Sequence, residues 1–315
     1  MLLGKLVPAI FISVGLSSCT VARIDPTEHL RENASLVAEV KAFGKTLGIE
    51  PTEALSRTIE ERPPLSMLWL WMQRVGTLAL DAPIDIRMAI GFGVVKEELK
   101  LEQVYSVDGY SVYYRQGNEF ADSRSVATAG FASEEIAQRV KVILHEDLHD
   151  DKNFALAWEV EEAIVTPLGS LAAMEFFRRI GDQESFQRAL ATLEEERRCA
   201  QELNALVGEA QKLFKTLPVE KAQAEILSLI PSYPAYQRQF ERQIEGQHPT
   251  AVLEAKLSHD LAYYRYLDQI MALRGKVTDL KTLIDDLKRL PSDTRQHGIQ
   301  TYLQQLKDRY AGSTN

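Results

Sequence analysis

The pattern that most constrains this chain is His-Glu-Asp-Leu-His at residues 145–149. On an α-helix, side chains at positions i and i+4 lie on one face, so the imidazoles of His145 and His149 can reach the same metal ion. Glu146 lies beside that face, where it can take a proton from a water molecule held by the metal. This is the H-E-x-x-H arrangement of zinc hydrolases, and it requires residues 145–149 to be helical.

The residues before the motif favour such a helix. Ser133 is a suitable N-cap, acidic residues follow it in the first turn, and apolar side chains recur at helical spacing as far as residue 144. We therefore predict one helix from residue 133 through the motif. The small-residue stretch 126–131 is expected to form a loop that leads into it.

A tetrahedral catalytic zinc needs a third protein ligand and leaves its fourth position to water. Glu159, Glu161 and Glu162 follow the motif and are the candidates. Residues 159 and 162 share a helix face, whereas residue 161 lies about 100° around the helix axis from residue 162. The three side chains therefore cannot all face one metal ion. Their spacing leaves the choice open. Asp150 and Asp151 either orient a ligand histidine or form a solvated turn, and the turn is the simpler interpretation.

The charge balance excludes one class of partner. The 315 residues carry 45 acidic and 36 basic side chains, for a net charge of −9, and no basic patch interleaved with aromatic residues is present. Nucleic-acid binding is therefore not expected. The apolar fraction of 45% is sufficient for a substantial core. We predict a mainly α fold with a small β-sheet (α+β), in which residues 31–315 form a single domain.

The start of the chain is similar to a bacterial lipoprotein signal. Residues 1–5 form a short start that is basic through Lys5, residues 6–16 are apolar but too few to span a bilayer, and a Leu-Ser-Ser-Cys sequence ends at Cys19. We expect cleavage after residue 18, lipidation of Cys19 and a tether over residues 19–30. Threonine rather than aspartate after the cysteine favours the outer membrane, facing the periplasm. The alternative is an ordinary secretory signal that contains a cysteine.

The N-terminal half is predicted to contain helices and a small sheet. We expect helices over 26–43 and from residue 51, and a buried helix over the apolar run 65–80. A strand is expected over 84–93, and a hairpin over 104–114 around an Asp-Gly turn.

The rest of the chain is predicted to be helical, with charged outer faces. Prolines and glycines divide it into helices over residues 156–180, 182–214, 217–230, 232–246, 250–274, 276–289 and 293–310. The first of these has an expected interruption at Pro167 or Gly169.

Residues 142–169, V-I-L-H-E-D-L-H followed by W-E-V-E-E-A-I-V-T-P-L-G, resemble a zinc aminopeptidase family of bacterial lipoproteins. In that family an H-E-L-A-H helix precedes an N-E-S-F-A-T-F-V-G helix. The resemblance implies a zincin-like metallopeptidase core with a helical C-terminal half. It also implies His145, His149 and Glu162 as ligands of Zn²⁺ and Glu146 as general base.

The chain departs from that family within both motifs. Asp147-Leu148 replaces an aliphatic residue followed by a small one, Glu161 replaces an asparagine, and Pro167 falls within an aromatic-rich stretch. A charge at residue 147 next to a metal ligand requires a structural explanation.

Metallohydrolases also need a donor for the oxyanion that forms during attack. The only cluster of His and Tyr after the motif covers residues 258–266, where His259 and Tyr263 share a helix face. We predict that these two residues are catalytic, with a packing role as the alternative.

Two functions from different classes remain. The first is a membrane-tethered zinc peptidase that hydrolyses peptide or protein substrates, with aminopeptidase activity implied by the resemblance. The second is a lipoprotein scaffold whose helical half binds a partner and whose metal site is vestigial. The departure at Asp147 is the feature that favours the scaffold.

Overall fold

The computed structural model describes residues 26–57, 67–80, 83–92, 107–117, 127, 129–149, 156–290 and 296–312. Within them the chain is mainly helical with one small sheet, as predicted. The strands are β1 (Met67–Arg74), β2 (Ile86–Phe92) and β3 (Tyr110–Gly117). The helices are α1 (Pro26–Thr46), α2 (Ala129–Ser133), α3 (Ile136–His149), α4 (Trp158–Ile180), α5 (Gln183–Thr216), α6 (Val219–Leu229), α7 (Pro234–Gln243), α8 (Pro249–Tyr264), α9 (Leu267–Arg274), α10 (Leu280–Leu287) and α11 (Gln296–Gly312). The predicted signal segment, with Cys19, and the pair Asp150 and Asp151 lie outside the described residues.

The sheet has the order β2-β1-β3, and both pairs are antiparallel. The predicted helix over residues 65–80 is wrong, because residues 67–74 form the central strand. A strand that is covered on both faces is a continuous apolar run without alternation, so its pattern matches that of a buried helix. Leu70, Trp71 and Met72 are all buried, although they alternate between the two faces.

One face of the sheet carries large aromatic and basic side chains. Trp71 lies opposite Arg87 on β2 and Tyr113 on β3, and Trp69 lies opposite Arg115. Cross-strand partners share a face, so these five side chains point the same way. Helix α8 packs against β1 and β3, and buried side chains of α8 form one core cluster with Trp71 and Tyr113.

The other sheet predictions are largely correct. Strand β2 confirms the strand expected over 84–93. The Asp-Gly turn is present, since Gly109 has φ +78° and Tyr110 N donates to Val107 O at 3.0 Å. Strand β3 follows the turn but pairs with β1. Residues 104–106, in the predicted first strand of the hairpin, lie outside the described residues.

Helix α4 is the most deeply buried helix near the motif. Every residue from Glu162 to Ala173 is buried, and α4 contacts α3, α5, α8 and α9. The helix continues through Pro167 and ends at Gly181, which has φ 75°, so the predicted interruption is wrong. Proline costs α4 one backbone hydrogen bond, and the packing of the surrounding helices compensates for it.

Helices α3 and α4 approach each other closely at Gly169. A Cβ atom on Gly169 would lie 3.0 Å from His145 Cβ and 3.3 Å from both His145 Cα and the carbonyl oxygen of Lys141. Only glycine therefore permits this separation of the two helices. The close approach brings His145 within reach of side chains one or two turns earlier on α4.

Two predicted helix starts are wrong. Ser133 ends α2, with its hydroxyl donating to Gly130 O at 2.7 Å, and α3 begins at Ile136. Residues 129–131, which the sequence predicts to lie in a loop, belong to α2. No helix begins at residue 51. Instead Thr52 Oγ1 accepts a hydrogen bond from the backbone of the turn that follows, where Leu55 has φ 58°.

Helices α5 to α11 confirm the helical C-terminal half, except that the helix predicted over 250–274 is two helices, α8 and α9. Helix α8 has no charged outer face, because every residue from Val252 to Ala262 is buried. Its polar side chains must therefore find partners inside the protein. Among the residues described, no helix combines the length and hydropathy that crossing a bilayer requires.

Candidate metal centre

Three side chains from α3 and α4 converge on one point. The Nε2 atoms of His145 and His149 lie 2.9 Å apart, and Glu162 Oε2 lies 3.4 Å from the first and 3.3 Å from the second. Their potential ligand atoms all lie within 4.8 Å of one another. This group can hold a metal ion.

The geometry and donor types of the group fit zinc. Ligand bonds of about 2.0–2.1 Å in a tetrahedral site place neighbouring ligand atoms roughly 3.3 Å apart. The separations between carboxylate and imidazole atoms match this value, and the two nitrogens need to separate by a few tenths of an ångström. Two imidazole nitrogens and one carboxylate oxygen form a donor set that zinc favours.

Of the three candidate third ligands, only Glu162 joins the histidines. Glu159 Oε1 accepts a hydrogen bond from Ile84 N at 3.2 Å, beside the sheet. Glu161 Oε1 lies 3.0 Å from His149 Nδ1, the ring nitrogen that points away from the cluster. The geometry thus agrees with the ligand set that the family resemblance implies.

Glu162 is held in place by neighbours on its own helix. Trp158 Nε1 donates to Oε1 at 3.0 Å, and the Thr166 hydroxyl lies 3.5 Å from Oε2. Burial alone would raise the pKa of Glu162, but its hydrogen bonds to His145 and His149 hold that pKa far below the ordinary value. The carboxylate therefore stays ionised, as a metal ligand must.

The two histidines differ in their surroundings. Burial tends to lower the pKa of His149, but hydrogen bonds to Glu161 and Glu162 outweigh burial and raise it well above the ordinary value. Burial and the adjacent charge of His149 lower the pKa of His145. Within the described part of the chain, His145 Nδ1 has no hydrogen-bond partner. Glu161 thus has an orienting role towards His149, whereas the role predicted for Asp150 and Asp151 lies outside the described residues.

The cluster opens onto a cleft of about 460 Å³ between α3, α4, α5, α7, α8 and the sheet. His145, Glu146 and Glu162 line it on one side. Glu146 is buried, with 6% of its surface exposed, and it is adjacent to His145 in the chain. The general base expected from the motif therefore faces the space that a substrate would occupy.

Helix α8 lines another wall of the cleft with His259 and Tyr263. The His259 ring lies edge-on to Trp71 at 4.5 Å between ring centroids. The Tyr263 ring lies 5.1 Å from His259 and 5.9 Å from Trp158, which binds the carboxylate of Glu162. Both sequence-predicted residues thus lie in the same cleft as the metal cluster.

A buried polar network, which is not predicted from the sequence, holds His259. Its Nδ1 lies 2.9 Å from Asp260 Oδ1, and Asp260 also accepts a hydrogen bond from Tyr236 Oη at 2.9 Å and forms an ion pair with Lys256. Burial lowers the pKa of His259 to about 4. The i, i+4 spacing of Lys256 and Asp260 in a mainly apolar helix was the available signal.

Asp147 points away from the metal cluster. It is fully buried and forms an ion pair with Lys41 of α1. It also accepts hydrogen bonds from Thr52 N at 3.1 Å and Thr52 Oγ1 at 2.7 Å. The departure from the family pattern is therefore explained by packing between α3, α1 and the segment after it. It is not an argument against a metal site.

No protein-family model, curated protein or solved structure matches this chain. The resemblance to zinc aminopeptidases remains a prediction from two short motifs. The features that bear on function are therefore the metal cluster, the cleft and the side chains that line it.

Proposed function

We propose that this protein is a zinc-dependent peptidase. The observation that carries the proposal is the convergence of His145, His149 and Glu162 at separations of 2.9–3.4 Å, beside Glu146 and at the wall of a cleft. Two histidines one helical turn apart, a carboxylate from a second helix and an adjacent glutamate constitute the parts of a glutamate-zincin centre.

Zinc bound there would polarise the scissile carbonyl and lower the pKa of the attacking water. Glu146 is the group that accepts the proton from that water and then delivers it to the leaving nitrogen. Its burial reduces competition from bulk solvent. Glu161 holds the His149 ring in a fixed orientation through Nδ1, so that Nε2 points at the metal position.

His259 and Tyr263 have different roles in this proposal. With a pKa near 4, His259 is neutral at pH 7, and its Nδ1–H donates to Asp260. Its Nε2, which has no partner among the described residues, is then an acceptor suited to a substrate N–H. The Tyr263 hydroxyl is the better donor for the oxyanion.

The proposed setting is the cell envelope, with the enzyme attached through Cys19 to the outer membrane and facing periplasmic peptides. The aminopeptidase specificity that the resemblance implies has weaker support. Such an enzyme needs an acidic group to hold the substrate amine, and the two glutamates beside Glu162 in the 159–162 run are bound to other partners. Glu159 binds the backbone of Ile84, and Glu161 binds His149.

The test compares zinc-loaded wild-type protein with Glu146→Gln on a broad peptide library, with zinc content measured on both. Since general base catalysis contributes about 10²–10⁴-fold, we expect Glu146→Gln to retain zinc and to lose at least about 100-fold in rate. A zinc-loaded wild type that cleaves no peptide would refute the peptidase proposal, as would a variant of equal activity.

A further inference from the structure

The acidic side chains of the cleft are all committed to other partners. Glu196 forms an ion pair with Lys141 at 2.5 Å, and Asp260 forms an ion pair with Lys256. Glu162 belongs to the metal cluster, and Glu146 is the proposed base. Among the described residues that line the cleft, no carboxylate remains for a cationic group of a substrate.

The cleft arginines are in the opposite situation. Arg115 on β3 and Arg242 on α7 are exposed and line the cleft, and neither forms an ion pair or hydrogen bond with the residues that the structure describes. A third arginine, Arg87, is occupied, because it lies 4.8 Å from the ring centre of Trp69 and 4.0 Å from that of Trp158. Two guanidinium groups are thus available to a ligand.

The position of Arg115 on the sheet places it near the proposed reacting centre. Arg115 lies opposite Trp69, on the sheet face that carries Trp71, and Trp71 contacts His259. Arg115 is also close enough to Glu162 and His259 to act electrostatically on both. It therefore lies beside the space between the metal cluster and the His259 wall.

Helix α7 adds neutral hydrogen-bonding groups beside Arg242. Gln239 lies three residues before Arg242 and four before Gln243, so it shares a helix face with each of them, and all three line the cleft. Gln239 Oε1 accepts from Cys199 Sγ at 3.1 Å, whereas Gln239 Nε2 and Gln243 Oε1 are buried without a partner among the described residues. Buried polar atoms left in this state are expected to bond to a ligand or to ordered water.

We propose that Arg115 and Arg242 form a carboxylate-binding subsite, so that the cleft selects peptides with an acidic group near the scissile bond. A guanidinium group matches a carboxylate in shape and can donate two parallel hydrogen bonds to it. The carboxylate belongs either to an Asp or Glu side chain or to the free C-terminus of the peptide. The identification of Arg115 and Arg242 as a substrate subsite rests on the proposed peptidase function, whereas the binding of a carboxylate by the two arginines does not.

The experiment measures binding without turnover, on the full chain carrying Glu146→Gln, with and without added zinc. The probes are four N-acetylated, alanine-rich hexapeptides that combine an internal Glu or Gln with a C-terminal acid or amide. The affinities of the Glu146→Gln protein for the four peptides are compared with those of the same protein that also carries Arg115→Gln and Arg242→Gln. The control is Arg238→Gln, which removes an exposed α7 arginine that pairs with Glu195 outside the cleft.

We expect one carboxylate to tighten binding about tenfold over its amide counterpart, by the strength of a charge-assisted pair in a partly exposed site. The gain should disappear in the double arginine variant and persist in Arg238→Gln. A gain from the internal Glu identifies a side-chain carboxylate, and a gain from the C-terminal acid identifies the chain end.

Equal affinity for all four peptides, or no measurable binding of any, would overturn the subsite. So would a carboxylate preference that survives loss of both arginines. The peptidase proposal is tested separately, by cleavage of the broad peptide library, which includes peptides with a free N-terminus, with Glu146 intact. Carboxylate-dependent binding without cleavage would therefore retain the subsite and reject the enzyme.

Discussion

Replacing Gly169 by alanine tests whether the close approach of α3 and α4 forms the metal centre. The added Cβ would lie 3.0 Å from His145 Cβ and 3.3 Å from backbone atoms of α3, where ordinary contacts begin at 3.4 Å. Backbone atoms cannot rotate away, so the two helices must separate by several tenths of an ångström. Overpacking of this kind costs about 1–3 kcal/mol.

The matched control is Gly208→Ala in the interior of α5, where an added Cβ has no neighbour within 4 Å. Both substitutions gain about 1 kcal/mol of helix propensity, so the difference between the two variants isolates the steric cost. In urea unfolding we expect Gly169→Ala to be about 1–3 kcal/mol less stable than Gly208→Ala. Displacement of His145 from Glu162 should also weaken zinc affinity roughly tenfold, since metal sites tolerate a displacement of their ligand atoms of only about 0.5 Å. Equal stability and equal zinc affinity of the two variants would refute the reasoning.

Three further predictions concern individual side chains. Asp147→Ala leaves Lys41 buried without its partner and should lower the free energy of unfolding by about 3–5 kcal/mol in urea titrations. Glu161→Gln should weaken zinc binding about 10–100-fold in competition with a chelator, because His149 loses its orienting carboxylate. Because burial lowers the pKa of His259 to about 4, below its unfolded value near 6.5, the unfolded chain binds an extra proton between those pH values. Stability should therefore fall as pH drops through this range, by up to about 3 kcal/mol, and His259→Gln should reduce the slope.

Each of these predictions has a control or an outcome that contradicts it. Replacing both Lys41 and Asp147 by apolar residues should recover most of the loss, and a silent Asp147→Ala would contradict the buried pair. Glu159→Gln should leave zinc affinity unchanged, because Glu159 binds the backbone of Ile84. An unchanged pH slope in His259→Gln would show that another group is responsible.

The sequence predicts the parts of the site that depend on local spacing. The i, i+4 histidines, the adjacent glutamate and the helical character of both motif segments follow from the 3.6-residue period. The choice of Glu162 over Glu159 and Glu161 does not, because it depends on how two helices are rotated against each other. That rotation is set by contacts such as the one between Gly169 and His145.

The errors have a common physical origin in tertiary burial. The central strand β1 carries no alternation because both its faces are covered, so the apolar run over residues 65–80 predicts a helix where the structure has a strand. Pro167 remains within α4 because neighbouring helices compensate for its missing hydrogen bond. The role of Asp147 depends on Lys41, which is distant along the chain. The role of Asp260 depends on Lys256 in a buried helix that the sequence predicts to have a charged outer face. Residue spacing alone reveals neither role.

The most direct test of the central claim is zinc content by plasma mass spectrometry on the purified chain. The wild type should contain about one zinc per chain. His149→Ala and Glu162→Ala should lose the metal, and Glu159→Ala should keep it, because its carboxylate does not face the histidines. A wild type that takes up no zinc after reconstitution, or variants of His149 and Glu162 that retain it, would contradict the account.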